Sequence, residues 1–170
     1  MVRSGSWFHT MNRGLQGASL FPTGEAAAAF VDGIGEVAGR YAVEVNAYCV
    51  MGNHYHLLVR ADEHDLLQAV AFLEAGIAGN AGRARLRRLA MGRHLLQVTR
   101  YIHRNPVEAR LCRRPAEWPW SSFHGYVNPL ESPRWLRCDA VLGWLGPFGA
   151  RQRYRQYVEG VSQNWTKSWT

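Results

Sequence analysis

The chain predicts an α+β fold, and three observations carry that prediction. Apolar stretches with strand character at 7–13, 41–50 and 54–60 alternate with helical periodicity at 24–39 and 65–78. A tight turn, Met51-Gly52-Asn53, joins two of the strands so closely that they must form an antiparallel hairpin. The order strand, helix, strand, strand, helix is that of a split βαβ unit, which gives an antiparallel sheet with helices on one face. The expectation is therefore a ferredoxin-like sheet, with a further strand between residues 77 and 91 that the pattern does not place cleanly.

Trp7 to Arg13 opens with aromatic and β-branched residues and stops at Gly14, as a first strand should. Thr23 is an N-cap candidate, with Glu25 and a run of alanines behind it. Phe30, Val31, Ile34, Val37 and Ala38 then recur at helical spacing up to Gly39. Tyr41–Val50 and His54–Arg60 are the hairpin strands. Leu66, Leu67, Val70, Phe72, Leu73 and Ile77 mark a second helix, interrupted by Gly76 and Gly79. A basic stretch with Arg83, Arg85, Arg87, Arg88 and Arg93 follows. His94–His103 reads as a third helix, expected to end near Asn105 because Pro106 disfavours helical geometry in the residue before it. A segment rich in proline and tryptophan runs from Arg114 to Phe123, and an amphipathic stretch covers about 149–160.

Composition narrows the partners. The 170 residues, 47% of them hydrophobic, suffice for one domain with an ordinary core. A formal charge of +7 favours a polyanion, nucleic acid ahead of an anionic membrane. Cys49, Cys112 and Cys138 are odd in number and widely spaced, which indicates neither a disulfide framework nor a zinc ribbon and suggests a reducing cytoplasm. No signal peptide and no membrane span is expected.

The chemistry centres on Asn53-His54-Tyr55-His56. On a strand, residues two apart share a face, so both imidazoles project together with Tyr55 opposite. Paired imidazoles on a rigid backbone begin a metal site. In Arg100-Tyr101-Ile102-His103-Arg104-Asn105-Pro106, Tyr101 and Asn105 are four apart and share a helical face. Docked over the histidine strand, that face offers an amide oxygen to the metal and a hydroxyl nucleophile to its ligand. Together they suggest phosphodiester transesterification. His103, two from Tyr101, points elsewhere. His9 on the first strand is near enough in sequence order to approach the site, but nothing requires it to.

Ala47-Tyr48-Cys49-Val50-Met51-Gly52-Asn53-His54-Tyr55-His56-Leu57-Leu58-Val59 resembles the HUH motif region of single-tyrosine transposases. Tyr101-Ile102-His103-Arg104-Asn105-Pro106-Val107-Glu108-Ala109 resembles their nucleophile helix. Pro119-Trp120-Ser121-Ser122-Phe123 is similar to the segment after that helix in the REP-associated tyrosine transposase group. The resemblance covers most of residues 7–126, and Val141 to Val158 fits more loosely. It implies a ferredoxin-like palm that cuts single-stranded or hairpin DNA through a 5′-phosphotyrosine link, with Mg2+ or Mn2+ as cofactor. Carried over, His54, His56 and Asn105 are the metal ligands and Tyr101 the nucleophile. Arg83, Arg85, Arg87, Arg88, Arg93, Arg100 and Arg104 are the expected DNA contacts. The expected division is a transposase domain over 1–126 and a C-terminal extension over 127–170, in a cytoplasmic monomer or homodimer.

The stretch from Ile77 to Met91 is shorter than in the resembled family and lacks its Gly-His-x-x-Gln-Gly-Arg-Phe-like segment. The fourth strand is accordingly expected to be irregular or missing, which exposes a sheet edge or displaces the tyrosine helix. The alternative function is a catalytically impaired, transposase-derived nucleic-acid-binding protein. A hydrolytic or structural metalloprotein and an unstable remnant are further alternatives.

Overall fold

Four antiparallel strands lie in the order β2-β3-β1-β4 in the computed structural model, which describes residues 5–77, 81–92 and 94–160. The strands are β1 (Ser6–Arg13), β2 (Glu44–Met51), β3 (His54–Ala61) and β4 (Arg85–Leu89). The helices are α1 (Gly24–Arg40), α2 (Glu63–Ala75), α3 (His94–Glu108), α4 (Phe123–Val127), α5 (Asp139–Leu142) and α6 (Ala150–Glu159). The α+β, ferredoxin-like expectation is borne out.

One face of the sheet carries α1 and α2. Thr23 caps α1 as expected, its Oγ1 accepting from the Ala26 amide at 3.2 Å. Behind the cap, Ala27, Phe30, Ile34 and Val37 are buried at helical spacing. From α2, Leu66, Ala69, Val70 and Leu73 complete this layer. Each large apolar side chain so buried contributes roughly 1.5–3 kcal/mol.

The abbreviated segment does form the fourth strand. Five residues pair with β1, from Arg85 against Met11 to Leu89 against Trp7. Just before it, the Gly82 amide donates to the Arg13 carbonyl and the Asn12 side-chain amide donates to the Gly82 carbonyl, both at 2.9 Å. A Cβ at Gly82 would lie 2.9 Å from that Arg13 oxygen, so only glycine lets the chain turn in this tightly. The outer edge of β4 is left to arginines, whose charge discourages pairing with another chain.

The second face carries α3, against which α5 and α6 pack, while Trp135 reaches round to Gly35 of α1. Helix α3 does not stop at Asn105 but continues through Pro106 to Glu108. Pro106 withholds one backbone donor, yet Ile102, His103 and Pro106 are all buried, and that packing outweighs the lost bond. The helix ends in a Schellman pattern. Arg110 is left-handed (φ 59°), the Leu111 amide donates to Pro106 and the Arg110 amide to Val107, each at 2.9 Å. Leu136, Cys138, Val141, Leu142, Tyr154 and Val158 bury themselves in the same core as the sheet, and the 126/127 boundary falls inside α4.

The Pro-Trp-Ser-Ser segment closes the other sheet edge. The Val50 amide donates to Trp120 at 2.8 Å, the Ser122 amide to Tyr48 at 3.0 Å, and the Arg137 amide to Val45 at 2.9 Å. The three cysteines are free thiols. Among the described residues no helix is long and apolar enough to cross a membrane.

Candidate active site

The histidine pair begins β3 directly after a two-residue turn, since Met51 pairs with His54 across Gly52 and Asn53. The turn is tied down by the loop after β1. The Gly52 carbonyl accepts from the amides of Leu20 (2.8 Å) and Phe21 (2.9 Å) and from Ser19 Oγ (3.0 Å), and the Asn53 carbonyl accepts from Gly14 (2.9 Å). From the back of the sheet Tyr55 fixes the strand. Its ring packs on Phe30, and its hydroxyl donates to Glu74 Oε1 at 2.9 Å, where Asn12 also donates at 2.5 Å. His54 and His56 therefore project to the opposite face, 5% and 1% exposed.

Helix α3 crosses that face and brings the expected partners in. Asn105 Oδ1 lies 2.9 Å from His54 Nε2. The Tyr101 ring stands edge-on to His56, with centroids 5.3 Å apart. Four residues separate Tyr101 and Asn105, so one side of α3 delivers both. His103 lies on another side. It is fully buried, with Nε2 donating to Ser122 Oγ and Nδ1 accepting from Tyr154 Oη, both at 2.7 Å.

The strand register adds a residue to the site. Leu58 pairs with His9, which puts His9 on the same face as His56, and His9 Nε2 lies 3.0 Å from His56 Nδ1. Its ring also meets Tyr101 edge-on, at 6.0 Å. The alternation Trp7-x-His9 carried the signal for this placement. Only the pairing of β1 with β3 turns it into a contact.

All three imidazoles are held neutral. Burial lowers His9 to about 4, with the Arg87 charge adding to the effect. Burial also lowers His54, partly offset by the hydrogen bond with Asn105 and reinforced by Arg13. His56 falls well below the usual histidine range through burial, then through His9, His54 and Arg13. Neutral imidazole is the form that ligates metal.

The donor set fits a divalent cation. His56 Nε2 is buried with no hydrogen-bond partner. His54 Nδ1 lies 2.6 Å from Asn53 Oδ1. A neutral ring has one N–H for these two amide oxygens, so only one of the two contacts is an ordinary hydrogen bond. The imidazole–amide contact left without a proton, beside the unpartnered His56 nitrogen, is one that a bound cation would satisfy. Among the described residues no three His, Cys, Asp or Glu side chains form a metal cluster. The further donor beside the histidine pair is the amide oxygen of Asn105, since His9 Nε2 is turned to His56. Two imidazoles and an amide oxygen make a mixed set of intermediate hardness.

The expected DNA-contacting arginines divide by where they point. Arg85 and Arg87 pair with Met11 and His9 and so lie on the histidine face of β4, whereas Arg88 pairs with Phe8 on the other face. Arg83 is exposed just before the strand. Arg93 lies outside the described residues. Arg100 and Arg104 are turned to the end of α6, donating to the carbonyls of Tyr157 (2.8 Å) and Val158 (2.9 Å). Arg13, not among the expected contacts, is exposed where β1 passes His54.

No protein-family model and no curated protein matches this chain. A solved structure does, "Structure of the REP associates tyrosine transposase bound to a REP hairpin", at 19% sequence identity and a TM-score of 0.59 over 82% of this chain and 88% of that one. The likeness establishes that this chain has the fold of a REP-associated tyrosine transposase.

Proposed function

We propose that the protein is a metal-dependent tyrosine nickase and strand transferase acting on single-stranded or hairpin DNA. The observation that carries this reading is the meeting of Asn105 Oδ1 with His54 Nε2 at 2.9 Å while Tyr101, on the same side of α3, stands against His56. A DNA partner is supported by the net charge of +7 and by the fold shared with a transposase solved on a hairpin.

His54, His56 and Asn105 would hold Mg2+ or Mn2+. When bound, the cation supplies Lewis-acid polarisation of a non-bridging phosphoryl oxygen. Tyr101 Oη attacks phosphorus. The Oη–P bond forms as the P–O3′ bond breaks, the departing 3′-oxygen takes up a proton in exchange for the one the tyrosine gives up, and the 5′-phosphate stays on Tyr101. The reverse reaction with another 3′-OH rejoins strands. Arg13, Arg85 and Arg87, on or beside the histidine face, attract the phosphate backbone.

The test is a labelled oligonucleotide incubated with Mn2+ and run on a denaturing gel. Wild type should give a covalent protein–DNA adduct, and Tyr101→Phe should abolish it while leaving binding nearly intact. An adduct on Tyr101→Phe assigns the nucleophile elsewhere. Binding without any adduct in wild type favours the non-enzymatic DNA binder.

A further inference from the structure

The contact between His9 and His56 has a geometry that limits what each ring can do. The two nitrogens are 3.0 Å apart, the ring centroids 5.1 Å, and the planes differ by 19°. The centroid separation is close to the N···N distance plus one ring radius at each end. The rings therefore meet at their edges through these two nitrogens, as a direct hydrogen bond requires, and not face to face. Both histidines are buried, at 4% and 1% exposure. One proton must sit between the nitrogens, because two lone pairs repel and two N–H groups collide.

Which ring owns that proton decides the state of His56. If His9 donates, His56 keeps its own proton on Nε2. That N–H would then be buried with no acceptor, since His56 Nε2 has no partner. An orphaned buried N–H is rarer and costlier than an unused acceptor. If His56 donates from Nδ1, its Nε2 carries a lone pair on the far side of the ring from β1, and that lone pair is free to ligate.

Resting on the metal-site reading of His54, His56 and Asn105, we infer that His9 is a positioning residue whose Nε2 accepts the His56 Nδ1 proton, fixing the tautomer that leaves His56 Nε2 bare for the cation. Its Cα is anchored by the β1–β3 register, opposite Leu58, so the acceptor is held by the sheet. Acceptors behind a ligating imidazole fix both its tautomer and its orientation, and their loss typically costs about 10–100-fold in metal affinity.

The decisive measurement uses metal-free, DNA-free protein labelled with 15N-histidine. Long-range 1H–15N correlation spectra at neutral pH should show His56 protonated on Nδ1. In His9→Leu, which accepts nothing, His56 should revert to the Nε2–H form, and Mn2+ binding followed by calorimetry should weaken about 10–100-fold. His9→Gln, whose amide oxygen can reach the same place, should restore most of both. If the leucine variant does not fold, His9→Asn, too short to reach His56, replaces it. An Nε2–H tautomer in wild type overturns the proposal, as does a His9→Leu protein with unchanged tautomer and Mn2+ affinity. A wild type that binds no Mn2+ or forms no DNA adduct defeats the metal or nickase reading instead, and the tautomer still decides the role of His9.

Discussion

At the scale of single residues, histidine does two opposite jobs in this chain. His9, His54 and His56 converge with a nitrogen left unpartnered, whereas His103 has none to spare. Tyr154 Oη–H donates to His103 Nδ1, His103 Nε2–H donates to Ser122 Oγ, and Ser122 Oγ–H donates to the Tyr48 carbonyl at 3.2 Å. Proton direction is consistent along the whole relay only if His103 is neutral. Burial, with the neighbouring His124, accordingly lowers it to about 3 from 6.5. The folded value lies below the unfolded one, so between those values the unfolded chain holds one more proton. This stabilisation is complete above about pH 6.5 and is lost as pH falls toward 3. From pH 7 to pH 5 the loss should be about 2 kcal/mol. Urea unfolding at the two pH values should show His103→Gln losing about 2 kcal/mol less than wild type. Equal losses in the two proteins would mean that His103 takes up its proton over the same pH range folded as unfolded.

At the scale of elements, legibility in the sequence tracks how strongly each element announces its own environment. The hairpin, the Thr23 cap and the helical spacing of α1 are local signals, and they led to the observed elements within a few residues. The face of α3 carrying Tyr101 and Asn105 was legible for the same reason, because four-residue spacing is intrinsic to a helix. Two features were not. Strand β4 reads Arg85-Leu86-Arg87-Arg88-Leu89, and all three arginines are exposed, so no apolar alternation marks it. It is a strand because β1 offers it a ladder. The run of α3 through Pro106 is likewise decided by burial against other elements. The faces of β4 then make a prediction. Arg85 and Arg87 share the histidine face and Arg88 does not. If single-stranded DNA crosses that face, Arg85→Ala and Arg87→Ala should each reduce the slope of log affinity against log salt by about 0.7, the value for one phosphate contact. Arg88→Ala should leave it unchanged. Fluorescence anisotropy over a salt series measures all three, and an equal effect of Arg88→Ala would place the DNA elsewhere.

At the scale of the whole molecule, the sheet supplies only half of the site. His54 and His56 are rigid because the hairpin tip and Tyr55 are pinned from the α1 and α2 side. Tyr101 and Asn105 are placed by α3, and α3 is seated on the C-terminal helices. Arg100 and Arg104 reach from α3 to the carbonyls that end α6, neutralising the negative pole of that helix. Tyr154 of α6 is fully buried against Tyr126 and reaches His103, two residues from both Tyr101 and Asn105. The C-terminal segment is thus the back support of the helix that carries Tyr101 and Asn105. Tyr154→Ala removes a buried ring and leaves His103 Nδ1 without its donor, so it should destabilise the protein by about 3–5 kcal/mol. Tyr154→Phe keeps the ring and loses only the hydroxyl, for about 1–3 kcal/mol. Where both variants remain folded, the rate of adduct formation should fall more than oligonucleotide affinity does, because a nucleophile displaced by about 1 Å can cost ~100-fold in rate while the arginines of β4 stay in place. Guanidinium unfolding paired with single-turnover adduct formation tests this. If Tyr154→Ala unfolds as late as wild type, or reacts as fast, then α3 holds its position without α6.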